Sequence, residues 1–287
     1  MTNYHTIYHP EHHYTRKQKN GLNMKRSRFI SLAIAMLMPL AAIADSYTSL
    51  WKQFDSAMQK DHPQTALKVL AQITDKAQRE REYGQLLKAQ VSVAGCETMV
   101  SPDSLLPAIE RLKVAEQAAV RSGNHVLAAV YQSVLGSVYT DNRRLLDDGV
   151  AIGKEYYAKS MSHPDALADA YASGYEPFVV DGVDSKYYYD DMLHVIGMRA
   201  DDYRTMHDYY ASHGKREGAL LTALELVKKS RRAGDEGRVK KSKYIMSLDS
   251  LVRQYGDLLP CGEVAIERYA YMQNAEDISA EEKMSYI

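Results

Sequence analysis

Phenylalanine and tryptophan are scarce in this chain, with 3 Phe and 1 Trp against 22 Tyr in 287 residues. Cysteine is nearly absent too. Cys96 and Cys261 stand far apart and neither belongs to a C-x-x-C pair, so nothing supports a zinc or dithiol redox site. Two cysteines without framework spacing read first as separate buried thiols, with a single bridge as the alternative in an oxidising compartment. No HExxH, GxSxG, Walker A or GxGxxG pattern occurs, which removes the usual signatures of metalloproteases, serine hydrolases and nucleotide-binding enzymes. No cofactor or metal site is expected. There is no basic stripe, so nucleic acid is not an expected partner. Long hydrophobic runs are missing as well: the longest apolar stretch, Phe29–Leu40, falls short of the roughly 20 residues a spanning helix needs.

What is present is an ordinary globular composition, 45% hydrophobic and 25% charged, with an uneven distribution of charge. Residues 1–44 hold six of the 36 Lys/Arg and one of the 37 Asp/Glu, so the remainder carries 30 basic against 36 acidic side chains. In that leader, Met24 is followed by Lys25, Arg26 and Arg28, then the apolar run, then Ala42-Ile43-Ala44 before Asp45. This is the order of a secretory signal peptide over residues 24–44, cut between Ala44 and Asp45. No cysteine follows the expected cut, so a lipid anchor is not expected. Residues 1–23, with His5, His9, His12 and His13, read as an over-extended gene start in preference to a metal-binding tract. The expected product is exported, periplasmic or cell-surface/secreted, with no membrane span once the signal is removed.

From residue 45 to 275 the periodicity is helical throughout. Leu50, Trp51, Phe54, Ala57 and Met58 form one stripe and Ala66, Leu70, Ile73 and Ala77 a second. Pro63 between them cannot continue the first helix but suits the first turn of the next, which predicts a helical hairpin. A third helix is predicted from Glu82 to a stop near Gly95. A fourth, capped by Ser101-Pro102-Asp103-Ser104, should end at Gly123, and Asn124 should cap a fifth whose broad stripe suits burial on two sides. Helix continues from Asp141 to Met161, weakened by Gly149 and Gly153. A short one follows Pro164, and Gly174–Gly182 reads as an ordered loop with an extended piece near Phe178–Val180. Asp184 and Ser185 are expected to cap the helix carrying Met192, Leu193 and Ile196. Further helices hold Tyr203–Tyr210, Ala219–Val227, Tyr244–Tyr255 and Glu263–Gln273, with an exposed turn at Asp235–Lys243. Finally, Ser279-Ala-Glu-Glu282 matches a helix-opening capping box, so residues 276–287 read as the start of a truncated helix of a longer protein.

The first hairpin has an echo further along. Ala57, Asp61, Ala66, Leu70 and Ile73 correspond to Tyr210, Gly214, Ala219, Ala223 and Leu226, a hydrophobe, a turn and a small residue at matching offsets. The fold expectation is therefore all-α, an irregular stack of antiparallel helix pairs, tetratricopeptide-like, without a strict repeat period.

Candidate functional residues are few. Tyr187, Tyr188, Tyr189, Tyr209 and Tyr210 suggest an aromatic surface for peptide or glycan. The plainer reading is packing tyrosines whose hydroxyls reach water. His194, His207 and His213 lie close in sequence among aspartates, but the last two fall on different faces of a helix, so no acid/base or metal site is assigned.

Taken together, SLWKQFDSAMQKDHPQTALKVLAQITDKAQREREYGQLLKAQ, SPDSLLPAI, LAAVYQSVLGSVY, EPFVVDGVDSKYYYDDMLHVIGM, HDYYASHGKREGALLTALEL and YGDLLPCGEVAIERYAYM resemble the N-terminal helical region of bacterial alpha-2-macroglobulin-like proteins. The resemblance spans Ser46 to Ile287 and lies in the order of the segments. It implies an exported multidomain inhibitor of endopeptidases whose β-sandwich macroglobulin domains lie downstream. The family's thioester motif, Cys-x-x-Gln, has no match here, since Cys96 is followed at the third place by Met99 and Cys261 by Val264. No functional residue carries over. The implied role is a non-catalytic scaffold docking against downstream domains or another protein. The alternative is a free-standing tetratricopeptide-like envelope protein that binds peptide or glycan.

Overall fold

The computed structural model describes residues 34–180, 182, 184–234, 241–274 and 281. Residues 1–33, positions 235–240 of the expected turn Asp235–Lys243 and most of the Ser279–Ile287 tail lie outside them, while 241–243 are not a turn but open the helix Lys241–Tyr255. Among the described residues the fold is all-α, with twelve helices: α1 Ile34–Gln59, α2 Pro63–Glu80, α3 Tyr83–Val100, α4 Leu105–Arg121, α5 His125–Asp141, α6 Gly149–Ser160, α7 Pro164–Ala168, α8 Met192–Ala200, α9 Tyr203–Ser212, α10 Arg216–Gly234, α11 Lys241–Tyr255 and α12 Cys261–Asn274. The backbone of α1 runs through the expected cut between Ala44 and Asp45. Two compact units divide the chain. One comprises α1–α3, α4 as far as Ala115, and the segment Ser173–Val180; the other holds the rest of α4 and α5–α12 with their turns.

One turn geometry recurs between consecutive helices. A residue in the left-handed region ends the first helix, at Asp61 (φ 55°), Arg81 (59°), Gly123 (71°), Asp201 (57°) and Gly214 (67°). The N–H of the next residue then reaches back five positions, from His62 to the Ala57 carbonyl (2.9 Å), Glu82 to Ala77 (3.0 Å), Asn124 to Ala119 (3.0 Å), Asp202 to Gly197 (2.9 Å) and Lys215 to Tyr210 (2.9 Å). That same residue opens the following helix through its own carbonyl, as His62 does for Ala66 N–H (3.1 Å) and Lys215 for Ala219 N–H (3.0 Å). The orphan carbonyls of one helix and the first N–H groups of the next are thus satisfied within two residues, which keeps consecutive helices adjacent. Three of these positions are not glycine, although a side chain in the left-handed region costs about 1–2 kcal/mol. Arg81 is exposed. Arg81→Gly is therefore expected to raise stability by about 1 kcal/mol in urea unfolding; an unchanged or lowered midpoint would mean that the arginine side chain contributes something the turn geometry does not require.

The expected echo holds through this turn and fails after it. Asp61 and Gly214 share the left-handed turn, and Ala66 and Ala219 are both buried behind it. In α10, however, Leu220, Thr222 and Leu224 are fully covered, while Ala223 and Leu226 are only half-buried. Regularity is also broken by α8, which packs against α5, α6 and α7 as well as its neighbour α9.

In the first unit the predicted hairpin forms as expected, with Ala66, Leu70, Ile73 and Ala77 of α2 fully buried against Tyr47, Phe54 and Ala57 of α1. Burial of Leu70 and Ile73 contributes roughly 1.5–3 kcal/mol each. Trp51 bridges to α3, its indole N–H donating to Gln85 Oε1 (2.7 Å) with the Lys88 ammonium 4.2 Å above the ring. Gly95 does not end α3. It is exposed in the helix interior, and the buried face that includes Leu86, Leu87 and Cys96 outweighs its propensity cost of about 1 kcal/mol. Ser101 makes no side-chain cap, and a 3-10 turn at Pro102–Ser104 leads into α4 instead. Of the expected loop at 174–182, Gly174 and Tyr175 end a 3-10 helix at Ala172–Tyr175, and a turn at 176–178 follows, with Phe178 and Val179 buried.

In the second unit Asn124 caps α5 as expected, accepting from Leu127 N–H (3.0 Å). Helix does not run unbroken from Asp141, since a turn at 142–148 precedes α6. The glycines expected to weaken α6 instead let it approach α5. A Cβ at Gly153 would meet the Gly136 carbonyl oxygen at 2.8 Å, and one at Gly136 would lie 2.8 Å from the Tyr157 ring. Towards the end of the chain Leu220, Leu224, Leu248 and Val264 form a core in which α10, α11 and α12 meet.

Candidate functional site

The tyrosines explain themselves once their hydroxyls are followed. Tyr47 donates to Glu80 (2.7 Å), Tyr189 to Glu217 (2.7 Å) and Tyr244 to Glu267 (2.6 Å), each joining two different elements. Phenylalanine would pack equally well but has no donor to give. Burial, and then the carboxylate partner, push all three hydroxyls well above the usual tyrosine range. Burial also pushes Tyr175 up to about 12. In the unfolded chain tyrosine ionises near pH 10, so above that pH the unfolded state sheds protons that the folded state retains. Stability should be fully present below about pH 10 and fall as the pH climbs beyond it. Urea midpoints measured alongside the tyrosinate absorbance would check this, and a midpoint indifferent to alkali would contradict it.

The five tyrosines of the expected aromatic surface differ in exposure: Tyr188 and Tyr210 are buried, and Tyr187, Tyr189 and Tyr209 are half-buried. Left-handed backbone at Tyr189 and Asp190 turns the chain there, so that the Asp190 carbonyl accepts from Ala172 N–H and Met192 N–H donates to the Ala170 carbonyl, both at 2.8 Å. Asp184 makes no side-chain cap. The residue that caps α8 is Asp191, accepting from His194 N–H (3.0 Å).

Asp191 is the centre of an interior polar cluster. It is 1% exposed, and its Oδ1 also accepts from Tyr210 Oη (2.9 Å). Lys215 Nζ lies 3.7 Å from Oδ2 and sits against the rings of Tyr189, Tyr209 and Tyr210. His194, fully buried, stacks on Tyr188 with centroids 5.1 Å apart. Burial and the neighbouring Asp191 carboxylate drive the Tyr210 hydroxyl far above its ordinary range. The three histidines singled out by sequence go separate ways: His194 joins this cluster, His207 Nδ1 lies 3.0 Å from the Ala219 carbonyl, and exposed His213 stacks on Tyr209. Among the described residues no group of three or more His, Cys, Asp or Glu is placed to hold a metal ion. Cys96 and Cys261 are both free, buried thiols, each pushed up in pKa by burial.

Beside that cluster lies a groove of about 310 Å³. Its floor is Tyr188, Leu221 and Leu224, all buried. Its rim carries Leu259 and Ile266, which are 80% and 62% exposed. Asp184, Glu225, Glu263 and Lys228 supply the charge, with Lys228 Nζ 2.8 Å from Glu225 Oε1. Tyr187 and Tyr188 stand out in the sequence, but the groove they line does not. A signal was present in α12, where Ile266 and Tyr269 lie off the buried stripe of Cys261, Val264 and Met272 and form a second apolar row. Among the described residues no helix is long and apolar enough to cross a membrane. Compared with protein-family models, with curated proteins and with solved structures, the chain matches none.

Proposed function

We propose that this chain is the non-catalytic helical scaffold of an exported alpha-2-macroglobulin-like endopeptidase inhibitor, and that its task is to dock a protein partner. The family part of this reading rests on the ordered segments between Ser46 and Ile287 that resemble that family. The docking part rests on one observation, the apolar-floored groove with Leu259 and Ile266 exposed on its rim. Large exposed aliphatic groups beside a preformed apolar depression are the ordinary mark of a protein-contact site.

The photo-crosslinker p-benzoylphenylalanine in place of Tyr269, one turn beyond Ile266 and 57% exposed, tests the reading in the cells that make the protein, with Met246 (66% exposed) on α11 as the off-site control. A protein adduct at Tyr269 and none at Met246 is expected. An adduct that mass spectrometry identifies as macroglobulin-domain polypeptide supports the inhibitor assignment, whereas an unrelated envelope peptide favours the free-standing tetratricopeptide-like binder. That second reading draws on Tyr187 and Tyr188 at the groove, and on no separate glycan platform, since Tyr188 is buried against His194. Equal labelling at both positions, or none, would remove the docking role. Recovered exported protein should begin at Asp45, and material retained inside the cell with its leader intact would refute export.

A further inference from the structure

Building on the docking reading, we propose that the groove selects an amphipathic helix bearing lysine or arginine beside its apolar stripe. Charge carries the first part of the argument. The groove presents three carboxylates and one ammonium, and Lys228 is already engaged with Glu225. The carboxylates of Asp184 and Glu263 have no ionic or hydrogen-bond partner among the described residues, and Lys186, two residues after Asp184, lies over the Tyr187 ring. A ligand that covers the apolar floor brings its flanks against these two acids, and only a basic flank compensates them.

Shape carries the second part. Ile266 and Tyr269 form an exposed row one turn apart on α12, and Leu259 is exposed in the turn before it. That row offers an apolar ridge to a helix laid alongside, and the floor takes the anchoring side chains as in other helix-in-groove complexes. Consecutive helices of this unit already pack on one another, α10 on α11 and α11 on α12, so a further helix against the outer face of α12 extends the same arrangement.

Gly262 provides a clean test. It lines the groove, and a Cβ added there meets nothing within 4 Å, so Gly262→Leu keeps the fold while placing a branched side chain where the ligand would lie. The probe is a fluorescein-labelled helical peptide with leucines at i, i+3, i+4 and i+7 and lysines on the flanks, titrated by fluorescence polarisation against the full chain. Two control peptides replace lysine by glutamate, or keep the composition and scatter the leucines. The lysine peptide should bind about tenfold more tightly than either control, with affinity falling as salt is raised. Gly262→Leu and Glu263→Lys should each weaken it about tenfold with the fold retained, stability moving by no more than about 1 kcal/mol, upward for the exposed helical glycine and downward for the acid lost from the first turn of α12. Equal binding of the lysine and glutamate peptides, or undiminished binding by Gly262→Leu, overturns the proposal. So does a concentration-dependent dimer in sedimentation that Ile266→Glu abolishes, because the occupant is then a second copy of this chain. If the peptides fail while the adduct at Tyr269 still forms, the docking role stands and only the partner's chemistry is wrong; if both fail, both fall.

Discussion

Gly84→Ala is expected to destabilise the α1–α3 unit by about 2–4 kcal/mol, against the general rule that alanine improves a helix. In an exposed helix interior the exchange gains about 1 kcal/mol. At Gly84, however, the new Cβ would fall on the carbonyl oxygens of Tyr175 and Glu176, which press against α3 from the segment Ser173–Val180. Backbone cannot yield as a flexible side-chain tip can, so either the segment lifts or α3 shifts, and both expose buried surface. The control lies in the same helix. Gly95 is exposed and a Cβ there meets nothing, so Gly95→Ala should stabilise by about 0.5–1 kcal/mol. Urea unfolding of the two variants side by side decides the matter. Opposite signs are expected; if Gly84→Ala also gained stability, the contact with Tyr175 and Glu176 would not exist in solution.

Asp191→Ala should be comparably damaging, about 3–5 kcal/mol, in the other unit. Two donors lose their acceptor at once, the N–H of His194 at the start of α8 and the fully buried hydroxyl of Tyr210, and the ammonium of Lys215 loses its ionic partner 3.7 Å away. The two donors are not readily reached by replacement water, because Asp191, His194 and Tyr210 are all at most 1% exposed, whereas Lys215 is partly exposed and can be solvated. Asp191→Asn separates the contributions. Asparagine is a good helix cap and keeps an oxygen for Tyr210, so it should lose only the charge interaction with Lys215 and cost about 1 kcal/mol. Should the two variants prove equally unstable, the attraction between Asp191 and Lys215 would outweigh the cap on α8 and the bond to Tyr210.

Much of the helical framework is legible in the sequence because its signals are local. Pro63 and Asn124 mark helix starts and Gly123 and Gly214 mark helix ends through geometry that acts within a few residues, and all four do so in the structure. Gly95 and Asp184 mislead for the complementary reason. A glycine ends a helix only if the chain beyond it has nothing to bury, and Asp184 loses to Asp191 because the latter is held by Tyr210 from another helix. The tyrosines show the limit most clearly. Their abundance is visible, but the acceptors of Tyr47, Tyr189 and Tyr244 lie 33, 28 and 23 residues away, so composition alone does not decide between a surface and a set of cross-links. The groove is hidden in the same way, since its floor and rim come from the Ser185–Tyr188 turn, α10 and α12, brought together only by tertiary packing.

The lone indole of the chain belongs to the unit built from α1–α3, where Trp51 is fixed by Gln85 and covered by Lys88. Its emission is therefore an intrinsic reporter of that unit alone, while far-ultraviolet ellipticity sums over every helix. Recorded on one denaturant series, the two signals measure cooperativity across the boundary at Ala115 without any added label. Coincident transitions mean that the units melt as one, and an early or late fluorescence step means that each carries its own free energy of unfolding.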